Sequence, residues 1–539
     1  MQRPENLRHT IIAHAFYHIF NKRAIVQTSK TKNTDKSPEL IPESKNNVNL
    51  NLSLSRDLNT GPADYKSAAL PAKPLRRHMI LSVDSKKDGA RSFVPAKIRF
   101  FRRFFIITTA GLLDIAYPNR LNVWGTDVLV HMAQLTVDIG GSPGINCRGF
   151  CEYCYFKKVR GVQPLGCRYC LPFKKGCDYC TRGIREDYAG FKDLKTIADE
   201  TLANLQMKEG DIERITISGG GDPSCYPQFR ELIELLGSME APLHIGYTSG
   251  KGWDDPAIAD LLIDNGLSEI SFTVFASDPA LRKRYMHDPT PEVSLKILER
   301  LCGDADVYAA AVVLPGVNDG EVLERTCAWL DERGAKGIIL MRFANTTEQG
   351  LILGNGPLMK NQKVQTVESF RDLVSSLSGR FRMKVSGTPL WDPEIGSPFA
   401  ILDEPDLLAK LPRVQRRASV VSGCIAAPFI GRVLAACGSD VPVIPVRKEI
   451  ACLITADDLR ELDLSTLENV VIIPGRAFVH GPEAESILCR DGTDRVVVRG
   501  PEMLTADAET SMGMTRNGVL AMEMDGFMNL IQTINRYGK

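Results

Sequence analysis

From Ala133 to about residue 395, short apolar and β-branched runs alternate with longer segments of helical spacing. The runs Leu135–Ile139, Arg214–Ser218, His244–Thr248, Glu269–Phe275, Val307–Leu314, Gly337–Phe343 and Arg382–Ser386 predict strands. Between them, Leu194, Ile197, Ala198, Leu202 and Leu205 fall on one face of a helix over 194–205. Gln228–Met239, Pro256–Asn265, Pro291–Leu301, Gly320–Arg333 and Val364–Leu377 follow the same spacing. Repeated strand–helix units imply a parallel sheet with helices outside it. About six or seven such units predict an α/β fold, an open, partial TIM barrel over 132–395 whose chemistry sits at the C-terminal strand ends.

A separate α/β region is expected over 412–539, with short strands at Val441–Val446, Ile450–Thr455, Val470–Ile473 and Arg495–Val498. Its end is rich in methionine (Met503, Met512, Met514, Met522, Met524 and Met528). Methionines suit an adaptable surface against a large flat ligand, and they suit ordinary core packing, which is the simpler expectation. Residues 1–131 show little sustained periodicity and are expected to be a disordered extension. Within them, Ser55–Pro71 resembles the translated antisense strand of a tRNA gene. The expected start of the folded protein is therefore Met132, with the upstream residues a misassigned start.

Charge divides the chain at the same place. Residues 1–131 carry 21 Lys and Arg against 10 Asp and Glu, and the remainder carries 45 against 55. The patterned part is thus acidic, which weighs against a nucleic-acid partner. The apolar run Phe104–Leu113 is too short to span a bilayer, so no membrane partner is expected. None of the 14 cysteines precedes Cys147, and clusters at two- and three-residue spacing suggest metal binding in a reducing, cytoplasmic location.

Two cysteine groups follow the first barrel strand. Cys147, Cys151 and Cys154 stand at C-x3-C-x2-C spacing, with Tyr155 next in sequence. Three thiolates can hold a 4Fe–4S cluster and leave one iron free to chelate S-adenosylmethionine (SAM). Spacing, flanking aromatic and strand-end position together resemble the signature of radical SAM enzymes. The second group, Cys167, Cys170, Cys177 and Cys180, forms two C-x2-C pairs that can close a tetrahedral site on one iron or zinc ion. Such a site would brace the loop 155–190 over the barrel mouth; a second redox cluster is the alternative.

Further candidates end the other strands. Gly219, Gly220, Gly221 and Asp222 resemble the Gly-Gly-Glu motif of radical SAM enzymes, in which glycines let the backbone approach the methionyl amine. Tyr247 would point into the mouth, where its phenol could touch the open iron or the substrate. Ser271, Thr273 and Ser277 alternate along the fourth strand and could present hydroxyls to SAM. Arg282, with Arg284, could meet the SAM carboxylate. The turn Leu314–Gly320 reads as structural, and Gly387–Pro393 as lining the substrate entrance.

Taken together, the two cysteine groups, the Met132 start and the tail domain resemble the methanogenesis marker protein 10 family. The resemblance runs from Met132 to Lys539. It implies a cobalamin-dependent radical SAM methyltransferase whose substrate is an arginine side chain in the α subunit of methyl-coenzyme M reductase, served by a separate electron donor. It also implies that the tail domain binds cobalamin without a histidine ligand. No Asp-x-His-x-x-Gly motif is present, and Leu453 is a candidate for the cofactor's apolar lower face. In the implied reaction one SAM methylates the cobalamin, and a second gives the radical that removes hydrogen from the arginine δ carbon. The competing readings are a peptide-modifying radical SAM enzyme with an auxiliary cluster and no cobalamin, and a zinc-knuckle binding module.

Overall fold

The computed structural model describes residues 120–123, 126–129, 133–159, 190–207, 212–389, 391–438 and 441–539. Met132 and the four cysteines Cys167, Cys170, Cys177 and Cys180 lie outside the described residues. The stretch expected to lack structure contains a hairpin, in which β1 (Arg120–Val123) pairs antiparallel with β2 (Thr126–Leu129). Two four-residue runs are too short for periodicity to reveal them.

All seven expected barrel strands form. They are β3 (Ala133–Asp138), β4 (Ile212–Ser218), β5 (Leu243–Thr248), β6 (Leu267–Thr273), β7 (Asp306–Val313), β8 (Gly337–Arg342) and β9 (Lys384–Thr388). They pair in sequence order as one parallel sheet, with no pairing between β9 and β3. The barrel is therefore open. Between strands run α1 (Leu194–Gln206), α2 (Phe229–Gly237), α3 (Ile258–Asp264), α4 (Pro291–Leu301), α5 (Gly320–Glu332) and α6 (Val367–Leu377).

Strand alternation divides the residues between two environments. Leu135, Val137, Ile215, Ile217, Ile245 and Phe272 are buried in one core with the helices' apolar stripes. Each such side chain contributes about 1.5–3 kcal/mol on burial. The intervening positions face the barrel interior and are largely polar. Arg214 pairs there with Glu269 at 3.0 Å, and Thr216 lies 3.3 Å from His244.

The second sheet has the parallel order β11–β10–β12–β13, built from β10 (Ser419–Gly423), β11 (Val443–Val446), β12 (Val470–Ile473) and β13 (Val496–Arg499). The expected strand Ile450–Thr455 is instead a short 3-10 turn, Ala451–Leu453. Its apolar residues line a cavity rather than pair in the sheet. β10 was not expected. One sheet face is covered by α7 (Ala427–Ala436) and α9 (Arg516–Tyr537), the other by α8 (Gly481–Leu488). Most of the methionines serve packing: Met524 and Met528 lie against the α9 core, and Met514 and Met522 beside Val519.

The C-terminal region also packs into the barrel interior. Residues Ala508–Met512 form a short helix whose Ala508 and Met512 pack on inward-facing Ile339, Met341 and Tyr308. Lys384 Nζ donates to the Ser511 carbonyl at 2.8 Å, and Ser511 Oγ donates to Asp392 at 2.6 Å.

His244 gives this interior a pH dependence. Burial, then the nearby Arg214 cation, holds its imidazole down to about 4. Glu269 lies 3.4 Å away, but it is already paired with Arg214, so the neutral ring is favoured. The unfolded chain takes up a proton near pH 6.5 that the folded chain refuses until about pH 4. Stability should therefore fall as pH drops across that window, by on the order of 3 kcal/mol at most. Denaturation midpoints measured from pH 7 to pH 4 check this; a His244→Gln variant should lose most of the slope.

Candidate active site

The first cysteine group lies on the loop after β3, over the C-terminal strand ends. Its path depends on glycine. Gly144 sits at φ 77°, and a Cβ there would lie 2.3 Å from the Phe150 ring. The amide of Gly144 donates to Cys147 Sγ at 3.3 Å, which fixes the first sulfur. Cys147, Cys151 and Cys154 are each half-buried.

Neighbouring strand ends hold this loop from several sides. Arg148 forms a bidentate pair with Asp254 at 2.7 and 2.8 Å and donates to the Lys251 carbonyl at 2.9 Å. Lys251 Nζ returns the contact, donating to the Gly149 carbonyl at 2.9 Å and the Met286 carbonyl at 3.0 Å. The Glu152 amide donates to the Tyr285 carbonyl at 2.8 Å, and Tyr153 stacks on Phe275 with centroids 4.9 Å apart. Tyr155 Oη donates to the Gly350 carbonyl at 2.6 Å.

Burial dominates the thiols' electrostatics. It pushes Cys147 up to about 11, helped by the Asp222 carboxylate, and Cys154 up to about 12. Burial raises Cys151 as well, while the Lys251 charge pulls all three thiols in the opposite direction. Here metal ligation is what would exchange proton for thiolate. Three half-buried free thiols on one loop make an all-sulfur donor set, which fits an iron–sulfur cluster.

The glycine motif faces the same loop. A Cβ at Gly221 would lie 2.7 Å from the Phe191 ring and 2.8 Å from Asn146 Cβ, so only glycine allows this approach. The Gly221 amide donates to the Gly140 carbonyl at 3.2 Å, and the Asp222 amide to Asn146 at 3.1 Å. Gly219 is exposed and Gly220 half-buried, leaving their backbone reachable. Asp222 differs from expectation. Its carboxylate is buried and accepts from Ser224 N at 2.9 Å, Ser224 Oγ at 2.7 Å, Thr248 Oγ1 at 2.6 Å and Ser249 N at 2.9 Å, and also from Ser249 Oγ. It welds the β4 and β5 ends together and presents no free oxygen to a ligand.

Arg282 is a second correction. It is fully buried and paired with Asp288 at 2.7 Å. Its other donors reach the carbonyls of Thr273 at 3.0 Å, Val274 at 2.8 Å and Ser249 at 2.7 Å. All five N–H groups are therefore used by the protein, two of them on Asp288. Arg284 lies over Tyr285, 5.2 Å from its centroid.

Ser271 and Thr273 do sit on the strand face opposite the buried Phe272. Ser277 does not continue that row. The chain turns at Phe275 (φ 61°), and Ser277 N donates to Thr326 Oγ1 at 3.1 Å, on α5. Tyr247 lies at the end of β5, where the two residues between Ile245 and Thr248 stand against the one between Ile270 and Phe272 on β6. Such a bulge re-aims a side chain at a barrel rim. Asn318 is wholly buried and bonds Leu314 N, Phe275 O and Val312 O, in keeping with a structural turn.

Leu453 lies elsewhere, in a cavity of about 300 Å³ between the barrel and the second sheet. Val421 and Ser422 of β10, Ile473 and Pro474 at the end of β12, and Thr388 and Pro389 at the end of β9 also line it. In a sheet ordered β11–β10–β12–β13, the connections reverse direction between β10 and β12. The crevice beyond that reversal is where open parallel sheets bind ligands.

Residues 142–326 match the family model described as the Radical SAM superfamily. This part of the chain is a radical SAM domain. GTP 3',8-cyclase from Trichormus variabilis is 23% identical over 172 residues, which are 31% of this chain. The chain spans about half of that relative, 49% of its length. Among solved structures, Streptococcus suis SuiB bound to its precursor peptide SuiA is 14% identical, with coverage of 46% of each chain and a TM-score of 0.31. Escherichia coli coproporphyrinogen III oxidase is also 14% identical, covering 48% of this chain and 53% of that one, with a TM-score of 0.30.

Sequence reasoning missed Lys251, Arg148 and Asp254 in the radical SAM domain. The available signal was position: Lys251 and Asp254 closely follow β5, at the barrel end that carries the cysteines.

The Arg282 assignment has a direct test. Arg282→Ala should destabilise the protein by about 3–5 kcal/mol, because Asp288 is left buried without its partner. Arg282→Lys, with three donors for five, should recover only part. Denaturant midpoints of the two variants check this; a near-native Arg282→Ala would return the residue to ligand binding.

Proposed function

We propose that the chain is a cobalamin-dependent radical SAM enzyme that C-methylates the δ carbon of an arginine side chain in the α subunit of methyl-coenzyme M reductase. The modification is post-translational, cytoplasmic and served by a separate electron donor. Cys147, Cys151 and Cys154 would hold the 4Fe–4S cluster, and the Gly219–Gly221 backbone would meet the SAM amine. Ser271, Thr273 and Tyr247 would line the SAM and substrate space. The four-cysteine loop would hold one iron or zinc ion. When bound, the cluster and SAM supply a 5′-deoxyadenosyl radical and the cobalamin supplies the methyl group. An unactivated sp3 carbon has neither acidity nor a leaving group, so a radical route suits it.

The observation that carries the cobalamin reading is the cavity at the β10–β12 reversal. It shares Gly500–Met503 with an open cleft of about 800 Å³ beside β13 and α9. Together they suit a large ligand. Leu453 and Cys452 give the cavity an apolar wall, and Leu453 packs on Gly350, whose carbonyl is bonded by Tyr155 of the cysteine loop. The cavity and the cluster loop thus meet at one residue. The chain's own part is to orient these groups and exclude water.

Anaerobically purified full-length protein, loaded with iron, sulfide and cobalamin, is the test. With SAM, a reductant and an arginine peptide from methyl-coenzyme M reductase, it should form 5′-deoxyadenosine and a singly methylated peptide. A Cys147→Ala, Cys151→Ala, Cys154→Ala triple variant should form neither. Absence of 5′-deoxyadenosine with the loaded native protein would sink the radical reading. Deoxyadenosine without methyl transfer would favour a peptide-modifying enzyme with an auxiliary cluster. Leu453→His should alter the visible spectrum of bound cobalamin by offering the cobalt a nitrogen ligand; an unchanged spectrum would remove Leu453 from the lower face.

A further inference from the structure

Lys251 is an unusual residue to find where it is. Its side chain is buried, 1% exposed, and long cationic side chains are rarely buried without an anion. Among the described residues no carboxylate lies within ion-pair distance of its Nζ. The nearby acids are otherwise engaged: Asp222 by Ser224, Thr248 and Ser249, Asp254 by Arg148, and Asp288 by Arg282. Two neutral carbonyls, Gly149 and Met286, are its bonded partners. Both belong to the cluster's surroundings. Gly149 lies between Cys147 and Cys151, and the Met286 carbonyl also faces Cys151 Sγ at 3.7 Å. The Lys251 charge acts on all three thiols.

We infer that Lys251 is the counter-charge of the iron–sulfur cluster, a positioning residue that holds the cysteine loop and raises the cluster's reduction potential. This rests on the radical SAM reading above. A cluster on three thiolates is a net anion and gains one further negative charge on reduction. A fixed cation behind it favours the reduced form. Because the site is buried, the attraction is weakly screened by salt. The reciprocal contact, Arg148 to the Lys251 carbonyl and Lys251 to the Gly149 carbonyl, keeps that charge at a constant distance from the loop. Lys251 is buried and already bonded to two protein carbonyls, which separates its role from that of a SAM-binding cation.

The test is potentiometric titration of the anaerobically reconstituted full chain, followed by electron paramagnetic resonance. Lys251→Gln keeps a donor and removes the charge. It should weaken reduction about tenfold, a shift of about 59 mV to more negative potential for a one-electron couple. Lys251→Arg should stay close to the native potential. An unchanged potential in a loaded Lys251→Gln protein overturns the inference. If that variant takes up no iron, Lys251→Arg decides, because it keeps the charge: it should load a cluster at a near-native potential, and either a failure to load or a potential shifted as far as expected for Lys251→Gln overturns the inference. A native protein that holds no cluster would instead overturn the radical SAM reading itself.

Discussion

Where parallel strands stop, their backbone carbonyls lose the neighbours that bonded them, and buried carbonyls left alone are costly. The mouth of this barrel is organised around that constraint. Arg282 takes the carbonyls of Ser249, Thr273 and Val274, joining the ends of β5 and β6. Asn318 takes those of Phe275 and Val312, joining β6 and β7. Lys251 takes Gly149 and Met286, bringing in the cysteine loop. Asp222 does the converse for free amides and hydroxyls at β4 and β5. The candidate cluster ligands inherit their placement from this set of long buried side chains rather than from regular secondary structure.

The same constraint explains what the sequence could and could not reveal. Seven strands and their helices were legible because each has one face against a core, and alternation or helical spacing records that face. Cysteine spacing was legible because it is local. Arg282 and Asp222 were misread because residue type shows that a charge is present but not whether partners from distant strands already use it. Lys251 and Asp254 went unnoticed for the same reason. In the second region, Ile450–Thr455 is an apolar run of strand length that forms no strand, whereas the true strand β10 reads Ser-Val-Val-Ser-Gly, so a short local pattern cannot tell a cavity wall from a sheet strand.

The two regions are not independent layers. Ala508–Met512 packs on the inward faces of β7 and β8, so the C-terminal region supplies part of the barrel's interior packing. Glu523 of α9 accepts from the amides of Ala400 at 3.2 Å and Ile401 at 2.8 Å, at the chain's exit from the barrel. Arg342 of β8 is paired with Glu449, and Lys448 Nζ donates to the Thr347 carbonyl at 2.6 Å. The cavity lies among these ties, so its shape is a property of both regions.

Gly350 is the smallest of the links. Tyr155, next to Cys154, bonds its carbonyl, and Leu453 from the 3-10 turn Ala451–Leu453 would lie 2.6 Å from any Cβ placed on it. With φ at 121°, the position also resists every side-chain-bearing residue. One glycine therefore acts as a spacer between the two halves. For evolution this means the C-terminal region is not an interchangeable cassette. A different tail could be grafted onto this barrel only together with a new loop around residue 350, and drift in either half must be matched by the other.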